Sequence, residues 1–406
     1  MQPEQMREPR ADDASHGPLD GIRVVEITAA VVGPLAGQIL GDMGADVIKV
    51  EAPEGDNTRL NGPTRSPRMA AIFLGLNRNK RSVVLDIATA EGREALMRLL
   101  ASADVFITSM RRPAARRLGI DYASVAARNP RIVYAFSPGY RSDGPYADRP
   151  AYDDIIQGHA AVAGAAERAS GEARYMPTDL SGKLCGYIMA SSIAMALYAR
   201  AASGVGQEVE VPMMENTVAF MLWEHLWGHN FVPPVTPIGY PRLFSPHRRP
   251  LKTKDGYLCV LVLTDAQWRR LFEVLELPAL ADDPRFATFD QRTLHIDALN
   301  ALVAERIATR STADWMLRLE EADLPYAPSN RLEDLPADSY LAETGFFEKF
   351  EHPSEGALMR TPVTVYFSDT PASVRLPQPR LGQHTEEVLG SLGYDAAQAR
   401  ALGGTR

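Results

Sequence analysis

"GIRVVEITAAVVGPLAGQILGDMGADVIKVEAP", residues 21–53, holds the pattern on which the fold turns. Residues 21–28 are β-branched and begin at Gly21, which reads as a buried strand. Residues 33–45 carry glycines at 33, 37, 41 and 44 and read as a helix. Residues 46–53 read as a second strand. Further strands follow at "RSVVLDI" (81–87), "DVFITSM" (104–110) and "RIVYAFSP" (131–138). Between them "TAEGREALMRLLASA" (89–103) opens on a Thr cap, with Glu91 two positions on, and keeps the apolar period of an amphipathic helix. This βαβα order predicts an α/β fold, a large Rossmann-like domain with a parallel sheet covered by helices on both faces. Dinucleotide binding needs G-x-G-x-x-G directly after the first strand, and "TAAVVGPLAG" (28–37) lacks it. Glu51, at the end of the second strand, then reads as a structural acid.

The middle of the chain differs in character. "FVPPVTPIGYPRLFSPHRRPLK" (231–252) holds six prolines and is too long for an ordinary connection. "TKDGYLCVLVL" (253–263) reads as a turn and strand, with two or three helices to about residue 320. "DLPYAPSNRLEDLP" (323–336) reads as a second linker, "GALMRTPVTVYF" (356–367) as strand, and "GQHTEEVLGSLG" (382–393) as a closing helix. The expected organisation is a disordered tail over 1–17, a large α/β domain over 18–227, and a smaller α+β domain over 228–325. Residues 326–406 then return to complete the large domain, which is built from both chain ends.

The 406 residues are 45% apolar and 23% charged, an ordinary composition for a protein with a large core. A net charge of -8 excludes a general nucleic-acid binder, whose footprint is basic. The polar start has no apolar stretch of the signal-peptide kind. The most apolar run, 184–201, contains Gly186, Ser191 and Ser192 and ends near Arg200. A membrane span needs about 20 strongly apolar residues, so a core helix is expected and no membrane partner. Cys185 and Cys259 have no metal-ligand spacing, which fits a reducing, cytoplasmic setting. His225 and His229 share a helix face, but H-E-x-x-H is absent and there is no third ligand; no metal is expected.

Two features point to chemistry. "SMRRPAARRLG" (109–119) puts Arg111, Arg112, Arg116 and Arg117 after a strand end, where open parallel sheets bind ligands. "LNRNKRS" (76–82) adds Arg78, Lys80 and Arg81. Two basic clusters in an acidic chain suit a phosphate-rich ligand. The other feature is Asp179, which opens the long helix in "TDLSGKLCG" (178–186). As an N-cap it would stabilise that helix by about 0.5–2 kcal/mol. Glycine within a helix costs about 1 kcal/mol relative to alanine, so Gly182 and Gly186 need a packing or approach reason. The helix end favours the anion, as a nucleophile would require.

Several ordered stretches bear a resemblance. They are "GPLAGQILGDMGADVIKVEAPEGD", "LNRNKRSVVLDI", "NPRIVYAFSPGYRSDGPYADRPAYDDIIQ", "TDLSG", "ASGVGQEVEV" and "LGQHTEEVL". The chain resembles the family III (CaiB/BaiF) CoA-transferases, relatives of formyl-CoA transferase, carnitine CoA-transferase and α-methylacyl-CoA racemase. The resemblance implies an interlocked homodimer acting on acyl-CoA and carboxylic acid substrates, with no permanently bound cofactor. It implies that Asp179 attacks the thioester and carries CoA in turn. The CoA-contacting positions implied are Val31, Val32, Asn77, Arg78, Asn79, Lys80, Ser109, Met110, Arg111, Arg117, Ser137, Pro138, Gly139 and Tyr140. The chain departs from the family at Ser109-Met110, where Asn-Phe is common, and at Ala52, where arginine is common. The Pro-rich stretch replaces the glycine-rich lid of formyl-CoA transferase. The racemase branch shares the Asp and adds a histidine that would fall just before Asp153; Tyr152 holds that position, and the missing second base favours transfer over racemisation. A racemase or isomerase of the same fold, or a non-catalytic CoA-binding paralogue, remain the alternatives.

Overall fold

The structure, a computed structural model, describes residues 17–403. Apart from Gly17, the expected tail lies outside the described residues. These divide into two compact units, one of residues 17–160, 176–218 and 345–403, the other of 161–175 and 219–344. The second unit therefore reaches beyond the expected 228–325 at both ends.

The first unit is built on β1 (Arg23–Ile27), α1 (Val32–Asp42), β2 (Asp46–Glu51), α2 (Ala71–Leu76), β3 (Lys80–Val84) and α3 (Ala90–Ala101). Then come β4 (Val105–Thr108), α4 (Arg112–Leu118), α5 (Tyr122–Arg128), β5 (Val133–Phe136) and α6 (Asp153–His159). All six strands of its sheet are parallel, in the order β3-β2-β1-β4-β5-β6, where β6 is Glu208–Glu210. Strand order reverses between β1 and β4, so a ligand crevice belongs outside their carboxyl ends.

The strands are short, and the central β4 and β5 are apolar and buried on both faces, as the inner strands of a parallel sheet must be. Side chains alternate between two cores with the period of two that a strand imposes. Val24, Val105, Ile107, Val133 and Ala135 enter one core, with Ala36 and Leu40 of α1. Val25, Phe106, Tyr134 and Phe136 enter the other, with Leu96 and Leu99 of α3. Each valine, leucine, isoleucine or phenylalanine among them contributes about 1.5–3 kcal/mol by leaving water.

The apolar run forms α8 (Leu180–Ser203), preceded in chain order by α7 (Val162–Ser170) of the second unit. By length and composition α8 is long enough to cross a membrane, yet half of its most apolar window is buried inside the protein. Cys185, Met189 and Ile193 join the first core. A Cβ at Gly186 would press within 2.9–3.1 Å of three Leu35 side-chain carbons of α1, so this glycine sets the helix contact. α9 (Met213–His225) follows β6.

The second unit carries a three-stranded antiparallel sheet of β7 (Leu251–Lys252), β8 (Tyr257–Val260) and β9 (Tyr326–Pro328), ordered β7-β8-β9. Helices α10 (Asp265–Val274), α11 (Phe289–Leu294), α12 (Ile296–Ile307) and α13 (Thr312–Glu321) surround the buried Trp315, Phe272 and Phe286. The stretch expected as a linker at 323–336 is thus in part a strand. β9 is only three residues long, and what makes it a strand is its pairing with β8.

After α14 (Ser339–Glu343), β10 (Glu348–His352) and β11 (Gly356–Arg360) form a separate hairpin ribbon. The strand expected through 367 stops at Arg360, before Pro362, which has no N–H to donate. The last residues give helices α15 (Thr385–Gly390) and α16 (Ala396–Leu402). They cover the sheet edge. Ser82 N donates to His384 Nδ1 (3.2 Å), His384 N to Ser82 O (2.9 Å), and Val84 N to Thr385 Oγ1 (3.0 Å). An exposed edge strand would otherwise invite pairing with another chain.

Candidate active site

Ser109 follows the last residue of β4 and Ser137 the last residue of β5, so both lie at the carboxyl edge of the sheet. A cavity of about 380 Å³ opens there. Six of the expected positions line it: Ser109, Met110, Arg111, Ser137, Pro138 and Gly139. Arg112 and Arg116 of the basic cluster also line it, as do Asp148, Arg149 and Tyr152, for which no contact was expected. Ser109 Oγ accepts from Ala29 N (3.3 Å), which ties the cavity to the turn holding Val31 and Val32. Ser137 Oγ donates to Val211 O (2.6 Å). A Cβ at Gly139 would come within 2.5 Å of the Ala151 Cβ, so the two loops meet only because this position is glycine. Tyr140 is buried beside the cavity, its hydroxyl 3.3 Å from His159 Nδ1. Arg117 is exposed and does not line the cavity.

The arginines divide by their partners. Arg112 binds Glu208 (3.1 Å) and Glu210 (3.3 Å) of β6 and lies over the Phe136 ring. Arg149 lies over Tyr146 at 3.6 Å. Among the described residues Arg111 and Arg116 have no carboxylate partner; Arg111 donates only to the Asp148 carbonyl (3.4 Å).

Residues 77–80 go elsewhere. Arg78 grips Asp42 through Nη2 (2.8 Å) and Nε (3.0 Å), and Asn79 Nδ2 donates to the same carboxylate (2.7 Å). Asn77 Oδ1 accepts from Lys80 Nζ (2.9 Å). Lys80 also pairs with Glu26 (2.9 Å) and donates to Pro34 O (2.7 Å). Lys49 pairs with Glu26 (3.3 Å) and Asp56 (2.9 Å) and donates to Thr28 O (2.9 Å). Burial pushes the Lys80 ammonium down to about 8 against the pull of Glu26. Lys49 holds the β1–α1 turn by the Thr28 carbonyl, and Lys80 holds the first turn of α1 by the Pro34 carbonyl. Glu51 is a structural acid: Arg59 meets it with two hydrogen bonds (2.7 and 2.8 Å) and Ser82 donates to it (2.7 Å).

Asp179 sits at the cap position of α8 but does not cap it. The free N–H groups of Ser181 and Gly182 donate instead to Asp153 Oδ1, at 2.7 and 3.2 Å. Asp153 is the first residue of α6 and is held by Gln157 (2.6 Å). Gln157 also receives Met176 N (2.9 Å) and donates to Thr178 O (3.2 Å), fixing the chain that leads to Asp179. Among the described residues Asp179 Oδ1 is buried and accepts no hydrogen bond. A Cβ at Gly182 would overlap this oxygen, which explains one of the two helical glycines.

The electrostatics follow. Burial, and then the like charge of Asp153, push the Asp179 carboxyl up to about 6, with Lys183 pulling the other way. The helix end is expected to hold the anion, but its Ser181 and Gly182 N–H groups donate to Asp153, and the pull that Gly182 N–H exerts on Asp179 is outweighed by burial. At pH 7 the group is still about nine-tenths ionised, one unit above its midpoint. Nothing in the sequence near Asp179 marks Asp153 as its neighbour. Tyr152, the residue before Asp153, faces the cavity, so one short segment touches both places.

The two histidines do not share a helix face: α9 ends at His225, and His229 lies exposed in the 3-10 turn that follows. His225 Nδ1 accepts from Tyr240 N (3.2 Å) and its ring lies against Phe244. Among the described residues no group of three or more His, Cys, Asp or Glu is placed to hold a metal.

The sequence matches CoA-transferase family III over residues 19–385. The chain belongs to that family and is a CoA-transferase by class. It is 33% identical to the succinate–glutarate CoA-transferase of Agrobacterium fabrum, over 92% of this chain and 96% of the relative. It is 30% identical to the (R)-2-hydroxy-4-methylpentanoate CoA-transferase of Clostridioides difficile, covering 93% and 96%. A crystal structure of a CaiB/BaiF family protein from Brucella suis superposes with a TM-score of 0.78 at 32% identity, over 93% of this chain and 100% of the other.

Proposed function

We propose that the protein moves coenzyme A from an acyl-CoA to a free carboxylic acid through Asp179. The Asp179 carboxylate attacks the thioester carbonyl, the C–S bond breaks, and CoA leaves as thiolate from a mixed anhydride. The thiolate attacks the aspartyl carbonyl, forming an aspartyl-CoA thioester and freeing the donor acid. The acceptor carboxylate attacks that thioester and expels CoA again. The thiolate then takes the acceptor's acyl group and restores Asp179. Each intermediate is as activated as acyl-CoA, which a serine ester would not be, and one difficult exchange becomes several easy ones.

The observation that carries this reading is the uncapped, half-buried carboxylate beside Gly182. A midpoint near 6 makes it a stronger nucleophile than an ordinary aspartate while leaving it ionised at neutral pH. The Ser109–Arg111 and Ser137–Tyr140 turns take the CoA nucleotide, with Arg111 and Arg116 as phosphate partners. Val31 and Val32 approach from the neighbouring turn. The inward pairing of Asn77, Arg78, Asn79 and Lys80 gives them the part of shaping that turn, and leaves Arg117 at the rim. The enzyme acts as an interlocked homodimer. That agrees with Tyr187, Met195 and Tyr198 of α8, which are 62, 70 and 83% exposed. Unpaired Cys185 and Cys259 suit a cytoplasmic setting.

The test is chemical trapping. Incubation with acyl-CoA followed by hydroxylamine or borohydride is expected to modify Asp179, as mapped by mass spectrometry, and Asp179→Ala is expected to have no transfer activity. An unmodified Asp179 with an active alanine variant would end the proposal.

A further inference from the structure

The second unit has a cavity of its own, about 220 Å³, beside β8 and between α10 and α12. Its walls are apolar, with Leu251, Val262, Trp268 and Leu271 buried around it. Its polar side comes from the Pro-rich stretch, which contributes Arg242, Arg248 and Arg249. No aspartate or glutamate lines it. Among the described residues none of these three arginines has a carboxylate partner. Elsewhere in the same unit Arg292, Arg306 and Arg310 each pair with Asp265 or Glu276.

We propose that this cavity binds a monocarboxylate with an apolar body, with the carboxylate on the arginines and the body against the apolar walls. Guanidinium groups meet a carboxylate with parallel hydrogen bonds that an ammonium cannot reproduce. The size follows by comparison. An apolar cavity of about 150 Å³ holds benzene, so this one suits a phenyl group or a branched chain of roughly six to nine non-hydrogen atoms. All the cations of the cavity come from one loop, and the α12 side offers a second carboxylate only the neutral amide of Asn300. A short dicarboxylate would leave a charge unpaired against apolar walls, and a nucleotide would leave several. The acid is therefore of a different class from the succinate and glutarate named for the Agrobacterium relative.

The link to turnover rests on the transfer reaction proposed above; the binding itself does not. The test is calorimetric titration of the whole chain with hexanoate and phenylacetate, against hexanamide and glutarate. The two acids are expected to bind at least tenfold more tightly than the amide or the diacid. The R248Q/R249Q double variant is expected to weaken them at least tenfold, and R248K/R249K less. Ile296→Trp, which fills the cavity, is expected to abolish binding, with thermal melts confirming that each variant folds. R248Q/R249Q is expected to leave Asp179 trapping by acyl-CoA intact. Equal affinity in wild type, R248Q/R249Q and Ile296→Trp overturns the proposal. So does binding of adenosine 3′,5′-bisphosphate at this cavity in place of the acids. If Asp179 is not trapped while acid binding still depends on these arginines, the cavity stands and the reaction scheme falls.

Discussion

Glu26, Lys49 and Lys80 stand on β1, β2 and β3, whereas Arg111 and Arg116 stand just beyond β4, on the other side of the same sheet. In the first group each charge has a partner inside the protein, and all three side chains are fully buried. In the second, two guanidinium groups line a cavity with no carboxylate partner among the described residues. Asp179 belongs with the second kind, since its nearest charged influences are Asp153, which repels it, and Lys183. Matched charge holds the β1–α1 turn in place. Unmatched charge is available to a ligand. The two groups look alike in sequence and differ in what a substitution should do.

The largest contrast lies in stability. Lys80→Met leaves Glu26 with one buried partner fewer and is expected to cost about 3–5 kcal/mol, measured by urea unfolding. The double variant E26Q/K80M is expected to recover most of that loss. A loss under about 1 kcal/mol for Lys80→Met would break the comparison on its structural side.

Asp179→Asn is expected to have the opposite sign. The folded-state midpoint of Asp179 lies above its ordinary 3.8, at about 6. Stability from this group is therefore full below the unfolded value and is lost as pH rises through the folded one. Asparagine escapes that loss. After allowance for solvent screening, the variant is expected to be about 1–2 kcal/mol more stable at pH 7, with no gain near pH 3.5, and to lack transfer activity. Denaturant midpoints at the two pH values decide it.

Arg111→Gln and Arg116→Gln are each expected to raise the KM for acyl-CoA about tenfold, roughly 1.4 kcal/mol. Their unfolding midpoints should stay within about 0.5 kcal/mol of wild type. A stability loss equal to the binding loss would place these arginines with the matched group.

The smallest effect is a shift in pH profile. The kcat/KM for acyl-CoA is expected to fall about tenfold per unit below pH 6, as Asp179 takes up its proton. Asp153→Asn removes the like charge and is expected to move that limb to lower pH by less than one unit. A shift to higher pH would show that loss of the cap matters more than loss of the charge.

Much of this was legible beforehand, and the reason differs by residue. Val24, Phe106 and Ala135 lie in short apolar runs that admit little but a buried strand. Thr89 announced its helix, and its hydroxyl accepts from Gly92 N at 3.0 Å. β9 was not legible, because three residues carry no period and a strand is defined by its neighbour. The basic run at 77–80 carries no sign in the sequence that its side chains are paired inside the protein. Sequence records that charges are present but not that Asp42 and Glu26 lie against them. The sequence does not place Asp153 beside Asp179, because it caps a helix that begins 27 residues later, across space.

The sequence by itself determined the alternation of strand and helix, the carboxylate before the long helix, and the glycines around it, since each follows from local pattern and backbone freedom. Only the tertiary structure decided which charges are spent and which remain. Burial and the approach of a second helix set the partners of Asp179, and those depend on residues far apart in the chain.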